Sequence, residues 1–506
     1  MSNKSQSKPK KTALRFLREA NFPKWYQDVI NQADMAENSG VRGCMVIKPW
    51  GYGIWENLKA RLDQRIKETG HENCYFPMFI PLELIEKEAA HVDGFAKEMA
   101  IVTHHRLVSK DGKLVPAGEL ESPLVIRPTS ETMVGESFAK WIQSYRDLPV
   151  KINQWANVVR WEMRPRMFLR TSEFLWQEGH TAHATAAEAR IETQTMLEEY
   201  RALAEDWLAI PVIPGEKSAS ERFPGAVETH TIEAMMQDGK ALQAGTSHYL
   251  GQNFSRAADI KFQDADGGES FAETTSWGVS TRMIGAIIMT HGDDDGLRVP
   301  PTVAPRQVVI LPIARDEDAA ARVLPAVDEL AARLNDTVAF GNRVRAIVDK
   351  RDINAGEKRW SWIKKGVPLI VELGPRDLDQ DTVMVTERTD IYGKSSHSVD
   401  AFVSGIAAQL QDIQNTLYEQ AKTYLDARIR TDITDREGFD AFFKKDKYAT
   451  AGFIRAYWDE SAESEESLKP LGVSVRCLPY DQPTEPGTCV LTGNPATKQA
   501  IFAKAY

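Results

Sequence analysis

The amino-acid sequence predicts a multidomain chain of mixed α+β and α/β class. A domain built on an antiparallel sheet comes first, then an α/β domain with a mixed sheet, then a small α+β domain. Three observations predict this. The chain has 506 residues, room for roughly two to four domains. The stretch Asn157–His180, NVVRWEMRPRMFLRTSEFLWQEGH, carries two runs of alternating character about a proline-containing loop, as an antiparallel hairpin does. From Gln307 onward, strand-like and helix-like patterns alternate.

Within that hairpin, Arg160 and Glu162 are two apart and share a face if the strand continues through them. Arg164 and Arg166 flank Pro165, a breaker that suits a loop. Arg170, Ser172, Phe174, Trp176, Glu178 and His180 then fall on one face at period two. Such a face mixes arginines, carboxylates, aromatic rings and an imidazole. A hydrocarbon core rejects that mixture, because unpaired buried charge is costly. A pocket for a charged ligand with a flat aromatic part would use it, and a solvated hairpin with surface ion pairs would tolerate it; spacing alone weighs the two equally. The pattern R-x-E, loop, R-x-x-x-F resembles motif 2 of the class II aminoacyl-tRNA synthetases. The flanking INQWANVVRWE and EFLWQEGHTA resemble the prolyl-tRNA synthetases of the archaeal and eukaryotic type. The resemblance favours the pocket.

Composition bounds the alternatives. Hydrophobic residues at 42% and charged residues at 26% suit a soluble globular protein. No stretch approaches the ~20 apolar residues of a membrane helix, so no membrane association is expected. Residues 1–12 are polar and basic with no apolar core, which suits a disordered tail and not a secretory signal. The four cysteines, Cys44, Cys74, Cys477 and Cys489, form no C-x-x-C pair, as expected of reduced thiols in the cytoplasm. The net charge of −10 conceals a local reversal: from Arg345 to Lys365 there are seven cations and three anions. Such a patch can meet phosphates while the remaining surface stays acidic.

Taken in order, Ile54, Leu58, Leu62 and Ile66 mark an amphipathic helix, and Gly70 suits its end. Cys74–Ile80, CYFPMFI, reads as a strand with an irregularity at Pro77. Helix, strand and proline, over about 51–81, resemble class II motif 1, which implies a homodimer interface. Leu124–Glu131, LVIRPTSE, reads as a strand and turn, with Thr129, Ser130 or Glu131 capping the next helix. The resemblance adds a contact of Thr129 and Glu131 with the substrate's amino group. Ala186–Ile210 is helical. Gln243–Phe254 alone reads as a loop, and the resemblance points to Gln243, Thr246 and His248 as ligand contacts. In FAETTSWGVSTRMIG, Gly278 leaves room at the backbone, and Arg282 begins an apolar helix. TSWG-x-x-T-R resembles motif 3 of the prolyl branch.

Beyond the linker 291–305, strands are expected at Val308–Ile313, Val344–Val348, Pro368–Leu373 and Thr382–Thr386. Helices are expected at Ala319–Leu334 and Ala401–Leu425. This part, with GVPLIVELGPRD, resembles the class IIa anticodon-binding domain. Trp360 and Trp362 stand among the cations, where they suit unstacked bases or a core edge, the core being favoured for at least one. Arg351 and Lys358 are the candidate base readers. The domains expected are 13–303 (catalytic), 304–410 (anticodon-binding) and 411–506 (C-terminal). Many relatives hold zinc in that last domain on four cysteines. Cys489 is followed by Val490, Leu491 and Thr492, and 458–466 has no cysteine, so no structural zinc is expected.

The resemblance implies a proline–tRNA ligase using ATP and Mg²⁺, with tRNA(Pro) and proline as the other substrates. Arg160 and Arg282 would be the catalytic pair, with Glu162, Arg170, Phe174, Gln243 and Thr246 completing the ATP site. Thr129, Glu131, Trp176, Glu178, His180, Ser276, Trp277 and Gly278 would hold proline with Arg160. Only 104 positions separate Phe174 from Gly278, so no editing insertion is expected. Two other readings are a threonine-type specificity, disfavoured because no cysteine lies in or beside motifs 2 and 3, and a synthetase-like RNA-binding or regulatory protein. The last is disfavoured because both motif arginines are present.

Overall fold

Two compact units make up the chain. The computed structural model describes residues 13–87, 99–444, 448 and 451–506; the expected tail 1–12 lies outside the described residues. One unit comprises Asn38–Val46, Leu58–Ala286 and Lys422–Tyr506; the other comprises the described residues to Glu37, Ile47–Asn57 and Ile287–Ala421.

The first unit is organised on one eleven-stranded sheet. Its order is Ile429–Arg430, Phe453–Trp458, Lys498–Ala503, Ser474–Pro479, Val212–Glu216, Glu228–Met235, Ala241–Gly251, Glu273–Ser280, Glu173–His183, Val150–Val159, Glu72–Asn73. Every pairing is antiparallel except the parallel ones at the two edges. The helix Ala186–Ala202 packs on strands 241–251 and 273–280. Its start is fixed by a capping box, Thr185 with Glu188. The sheet's join at 215–216 with 478–479 is short in hydrogen bonds. A buried charge cluster reinforces it: Glu233 is fully buried and meets Lys217 at 2.8 Å and Arg476 at 3.1 Å.

Three expectations are corrected here. Residues 74–80 are not one strand. Glu72–Asn73 joins the large sheet, Phe79–Pro81 pairs with Lys113–Ile126 in a separate three-stranded sheet, and the chain between is irregular around Pro77. The Phe76 peptide there is held by side chains instead: Gln154 Oε1 accepts from its N–H (2.7 Å) and Arg127 Nη1 donates to its carbonyl (2.7 Å). Gln243–Gly251 is strand and not loop; both neighbours in the sheet supply its hydrogen bonds, despite Gly245 and Gly251. The first hairpin strand stops at Val159, so Arg160 and Glu162 lie in the connecting loop; Arg160 N–H still donates to Ser172 O (2.8 Å).

In the 422–506 part, Phe439, Trp458 and Phe502 anchor one cluster that includes Cys489, whereas Cys477 is buried in another. The turns at 459–461 and 492–494 are joined through Asp459. It accepts from Thr492 Oγ1 (2.7 Å), Asn494 Nδ2 (3.1 Å) and Ser461 Oγ (2.8 Å).

The second unit holds a five-stranded mixed sheet, ordered Ala346–Val348, Val308–Pro312, Leu369–Leu373, Thr382–Glu387, Asp390–Ser398. The first three strands are parallel and the last two antiparallel. Helix Ala355–Lys365 starts at Asn354, whose side chain accepts from Glu357 N–H, and ends at Gly366 with φ +76°. That left-handed cap costs glycine nothing sterically. Among the described residues no helix is long and apolar enough to cross a membrane.

Candidate active site

Alternation along strand 173–183 delivers Phe174, Trp176, Glu178 and His180 to one side of the sheet, and all four line a cavity of about 520 Å³. Thr129, Glu131, Arg160, Glu162, Arg170, Gln243, Thr246 and Arg282 line it too. So do His248, Ser276, Trp277 and Gly278. Four separate stretches of sequence therefore converge on one space.

One end of the cavity is carboxylate-rich. Glu178 and His180 are buried, and His180 Nε2 lies 3.2 Å from Glu178 Oε2. Burial alone would raise the Glu178 pKa; His180, Ser130 and Gln154 outweigh it and hold the carboxyl below its ordinary range. Burial likewise opposes charge on His180, and Glu178 overrides it, raising the imidazole. Ser130 begins the helix Glu131–Trp141 but does not cap it; its hydroxyl donates to Glu178 Oε1 instead. Thr129 donates to Glu131. Among the described residues the hydroxyl of Ser276 and the indole N–H of Trp176 have no hydrogen-bond partner.

Trp277 borders the cavity, but its ring turns away from it. It pairs with Gly179, so its side chain leaves the face shared by Glu178, His180, Ser276 and Gly278. The indole lies over Gly179 on the reverse side, 4.9 Å from the His71 ring and 6.3 Å from Tyr200. The indole supports the strand from behind, while the residue itself still borders the cavity.

The other end is cationic. Arg160 Nε donates to Pro128 O (2.9 Å), and its guanidinium stands 5.7 Å from the Phe174 ring and 5.4 Å from Trp176. Arg282 Nε donates to Leu169 O (3.3 Å). Its pKa is pushed down to about 10, first by burial and then by Arg170 and Arg160, so three guanidiniums share one region. Three like charges held together are stabilised by an anion placed among them. Phe174 is only half-buried, with a face open to the cavity.

A loop that sequence reasoning missed, Glu221–Pro224, lines a further side with Thr229. Phe223 stacks on His248 at 4.7 Å. His248 Nδ1 lies 3.1 Å from Thr229 Oγ1, and burial lowers its pKa to about 3, so it is neutral. The signal was present in the sequence: Glu221, Arg222 and Phe223 before Pro-Gly mix charge and ring as the hairpin does.

Comparison with known proteins bears on this geometry. The family described as tRNA synthetase class II core domain (G, H, P, S and T) matches residues 117–291. The anticodon binding domain matches 307–409, and the prolyl-tRNA synthetase C-terminal family matches 443–506. The chain is 59% identical over 500 residues to a proline–tRNA ligase of Paramagnetospirillum magneticum, covering 99% of this chain and all of the relative. The chain belongs to the prolyl-tRNA synthetases. A second member, from Protochlamydia amoebophila, is 57% identical and covers 98% of this chain and 99% of its own. A crystal structure of the Cryptosporidium parvum prolyl-tRNA synthetase with L-proline and AMP superposes at TM-score 0.87 with 36% identity, covering 98% and 97% of the two chains. Another, of the same synthetase with halofuginone and AMPPNP, gives 0.88 with 38% identity over 98% and 99%. Bacterial proteins dominate the relatives, so the comparisons carry the class and the family, not the archaeal and eukaryotic branch.

The two residues singled out as base readers in the second unit have different surroundings. Arg351 is half-exposed; its Nε and Nη2 hold Asp349 at 2.9 and 2.6 Å, and its guanidinium stands 5.6 Å from the Trp362 ring. Asp349 is lowered to about 2; burial opposes this, and Arg351 and Trp362 prevail. Lys358 is buried, with Nζ donating to Asp349 O (3.1 Å). Its ammonium faces the fold, because the helix places position 358 inward. Trp362 donates to Asp349 Oδ2 (2.8 Å) and, like Trp360, is half-buried.

Proposed function

We propose that this cavity performs both steps of a proline–tRNA ligase: proline and ATP give prolyl-adenylate and pyrophosphate, and proline then passes to the 3′ end of tRNA(Pro). The observation that carries the reading is the convergence of Arg160 and Arg282 beside an open Phe174 face, opposite a buried Glu178–His180 pair.

A carboxylate must attack the α-phosphorus, and both reactants are anions. The protein positions them and neutralises charge; no protein nucleophile is required. Arg160 bridges the amino-acid carboxylate and the α-phosphate, a task suited to a planar fork that binds oxygens bidentately. Arg282 and Arg170 take the remaining phosphates. Phe174 stacks on adenine, and Glu162, Gln243 and Thr246 complete the nucleotide site.

Thr129 and Glu131 accept the two protons of the cyclic secondary ammonium. Trp176, Glu178, His180, Ser276 and Gly278 surround the ring, with Ser276 Oγ available to a ligand. An apolar ring pocket discriminates one methylene by only ~1–3 kcal/mol, so alanine is activated at a measurable rate.

Among the described residues no group of three or more His, Cys, Asp or Glu is arranged to hold a metal. Glu162, a carboxylate lining the cavity, would be the residue to hold an Mg²⁺ brought in with the triphosphate. Such an ion would neutralise phosphate charge.

The reading extends to the branch without an editing insertion. In support, the chain between 183 and 273 is occupied by the helix 186–202, three strands of the central sheet, the short helix Asn253–Ala257 and a small hairpin. Homodimerisation through residues 51–81 is supported by the exposed Tyr75 and Phe79. The four free thiols suit the cytoplasm.

Amino-acid-dependent ATP–pyrophosphate exchange tests the reading. Proline drives exchange well and other amino acids poorly. Arg160→Ala abolishes it, whereas Arg351→Ala preserves it and weakens tRNA binding. Absence of exchange with every amino acid refutes the assignment.

A further inference from the structure

Gln154 does not line the cavity, yet every polar atom of its side chain is committed within it or beside it. It is 1% exposed and stands directly across the hairpin from Glu178. The Phe76 N–H can only donate, so the amide oxygen of Gln154 must face it (2.7 Å). The NH₂ group is thereby turned to Glu178 Oε1 (2.7 Å) and Ser130 Oγ (3.0 Å). Ser130 accepts from Gln154 and spends its own proton on the same Glu178 oxygen. Glu178 Oε2 is left to His180. Donors and acceptors balance in one arrangement only: Glu178 accepts at both oxygens.

We infer that Gln154 is a positioning residue for amino-acid binding, with its amide, oriented by the Phe76 peptide, fixing the Glu178 carboxylate and through it His180. The inference rests on the functional reading above. The same peptide's carbonyl is pinned by Arg127 (2.7 Å), which also donates to Asn157 O (2.8 Å). The irregular 74–79 segment therefore sets the amide's orientation from outside the cavity. Several groups face the Glu178–His180 pair from neighbouring elements. Cys74 lies on that segment, where burial and then Glu178 push its thiol up to about 11. Glu131 at the helix start favours charge on His180, and His180 in turn disfavours charge on His248 of strand 241–251. Strand 273–280 contributes Ser276 and Gly278 and no charge.

Gln154→Glu separates a structural role from a positioning one. It keeps an oxygen for the Phe76 N–H and replaces the donor with a second carboxyl against Glu178. Two carboxylates there repel, which raises the pKa of one of them. Loss of a donor to a charged group predicts a KM for proline raised about tenfold near pH 8. As the pH falls toward about 6, the introduced carboxyl takes up a proton, donates in place of the amide, and KM returns toward wild type. KM for ATP stays within about twofold, because the cationic end is untouched. Ser130→Ala, which removes one of the two donors and spares Phe76, gives a smaller rise in KM for proline. Exchange kinetics over pH and a thermal melt read all of this. A proline KM unchanged in both variants overturns the inference. So does a pH-independent loss that raises proline and ATP KM alike and follows the melting temperature. Wild type that shows no proline-dependent exchange removes the functional reading instead.

Discussion

Gly179→Ala places a methyl group where the structure has an indole. The added Cβ would stand 2.0 Å from Trp277 Cζ2, 2.1 Å from Cη2 and 2.3 Å from Cε2. Carbon–carbon contact is comfortable at roughly 3.5–4.0 Å, so the ring must retreat by about 1.5 Å. Behind it are the His71 ring at 4.9 Å and fully buried Tyr200, whose hydroxyl is tied to Gln177 at 2.6 Å. The displacement passes instead to the strand carrying Trp277, which holds Ser276 opposite His180 and Gly278 opposite Glu178. Overpacking of this kind costs ~1–3 kcal/mol. Thermal unfolding should show a lower melting temperature, and pyrophosphate exchange a KM for proline raised more than that for ATP. In a Trp277→Leu background the space exists, and Gly179→Ala should be close to neutral; a double-mutant cycle measures the difference. Equal cost in both backgrounds, or wild-type stability and KM in the single variant, refutes the reasoning.

Glu233→Gln should destabilise by ~3–5 kcal/mol, since it leaves Lys217 and Arg476 as buried cations without a counter-charge; chemical denaturation with proteolysis of the 429–506 part reads it. Lys358→Ala should lower the melting temperature by removing a buried donor to Asp349 O, with pyrophosphate exchange intact. Arg351→Ala, at a half-exposed ion pair, should stay within about 1 kcal/mol of wild type in stability and lose tRNA affinity in a binding assay. The Glu178–His180 pair predicts a pH window. Glu178 is lowered, so its contribution is present above its unfolded pKa of ~4.3 and fades as pH falls through the folded value. His180 is raised, so its contribution is full below ~6.5 and fades as pH rises through its folded value. Melting temperature against pH should therefore fall on both sides for wild type and flatten in Glu178→Gln.

The sequence made the hairpin face legible because period two survives from Phe174 to His180, and the structure brings those side chains around one cavity. It also located the strands and helices of the second sheet to within a few residues, where apolar runs are bounded by Gly and Pro. Strand 241–251 was hidden by its glycines and hydroxyls, which suit a loop by propensity; two flanking strands override that preference. The direction of Trp277 was available from parity with Ser276, but the motif drew attention to the residue and not to its face. The burial of Lys358 and the role of Gln154 depend on partners distant in sequence: Asp349 nine residues away, and Phe76 and Glu178 seventy-eight and twenty-four away. No local pattern announces such pairs.

The central sheet has a consequence for biosynthesis. Strand 212–216 acquires its neighbour from residues 474–479, and Glu233 acquires Arg476, only after more than two hundred further residues have left the ribosome. Until then Glu233 has Lys217 and the Thr231 hydroxyl but no guanidinium, and strand 212–216 is an uncovered edge able to template a wrong partner. A prematurely terminated polypeptide keeps that edge open for good, which marks it for chaperones and proteases while the finished enzyme escapes them.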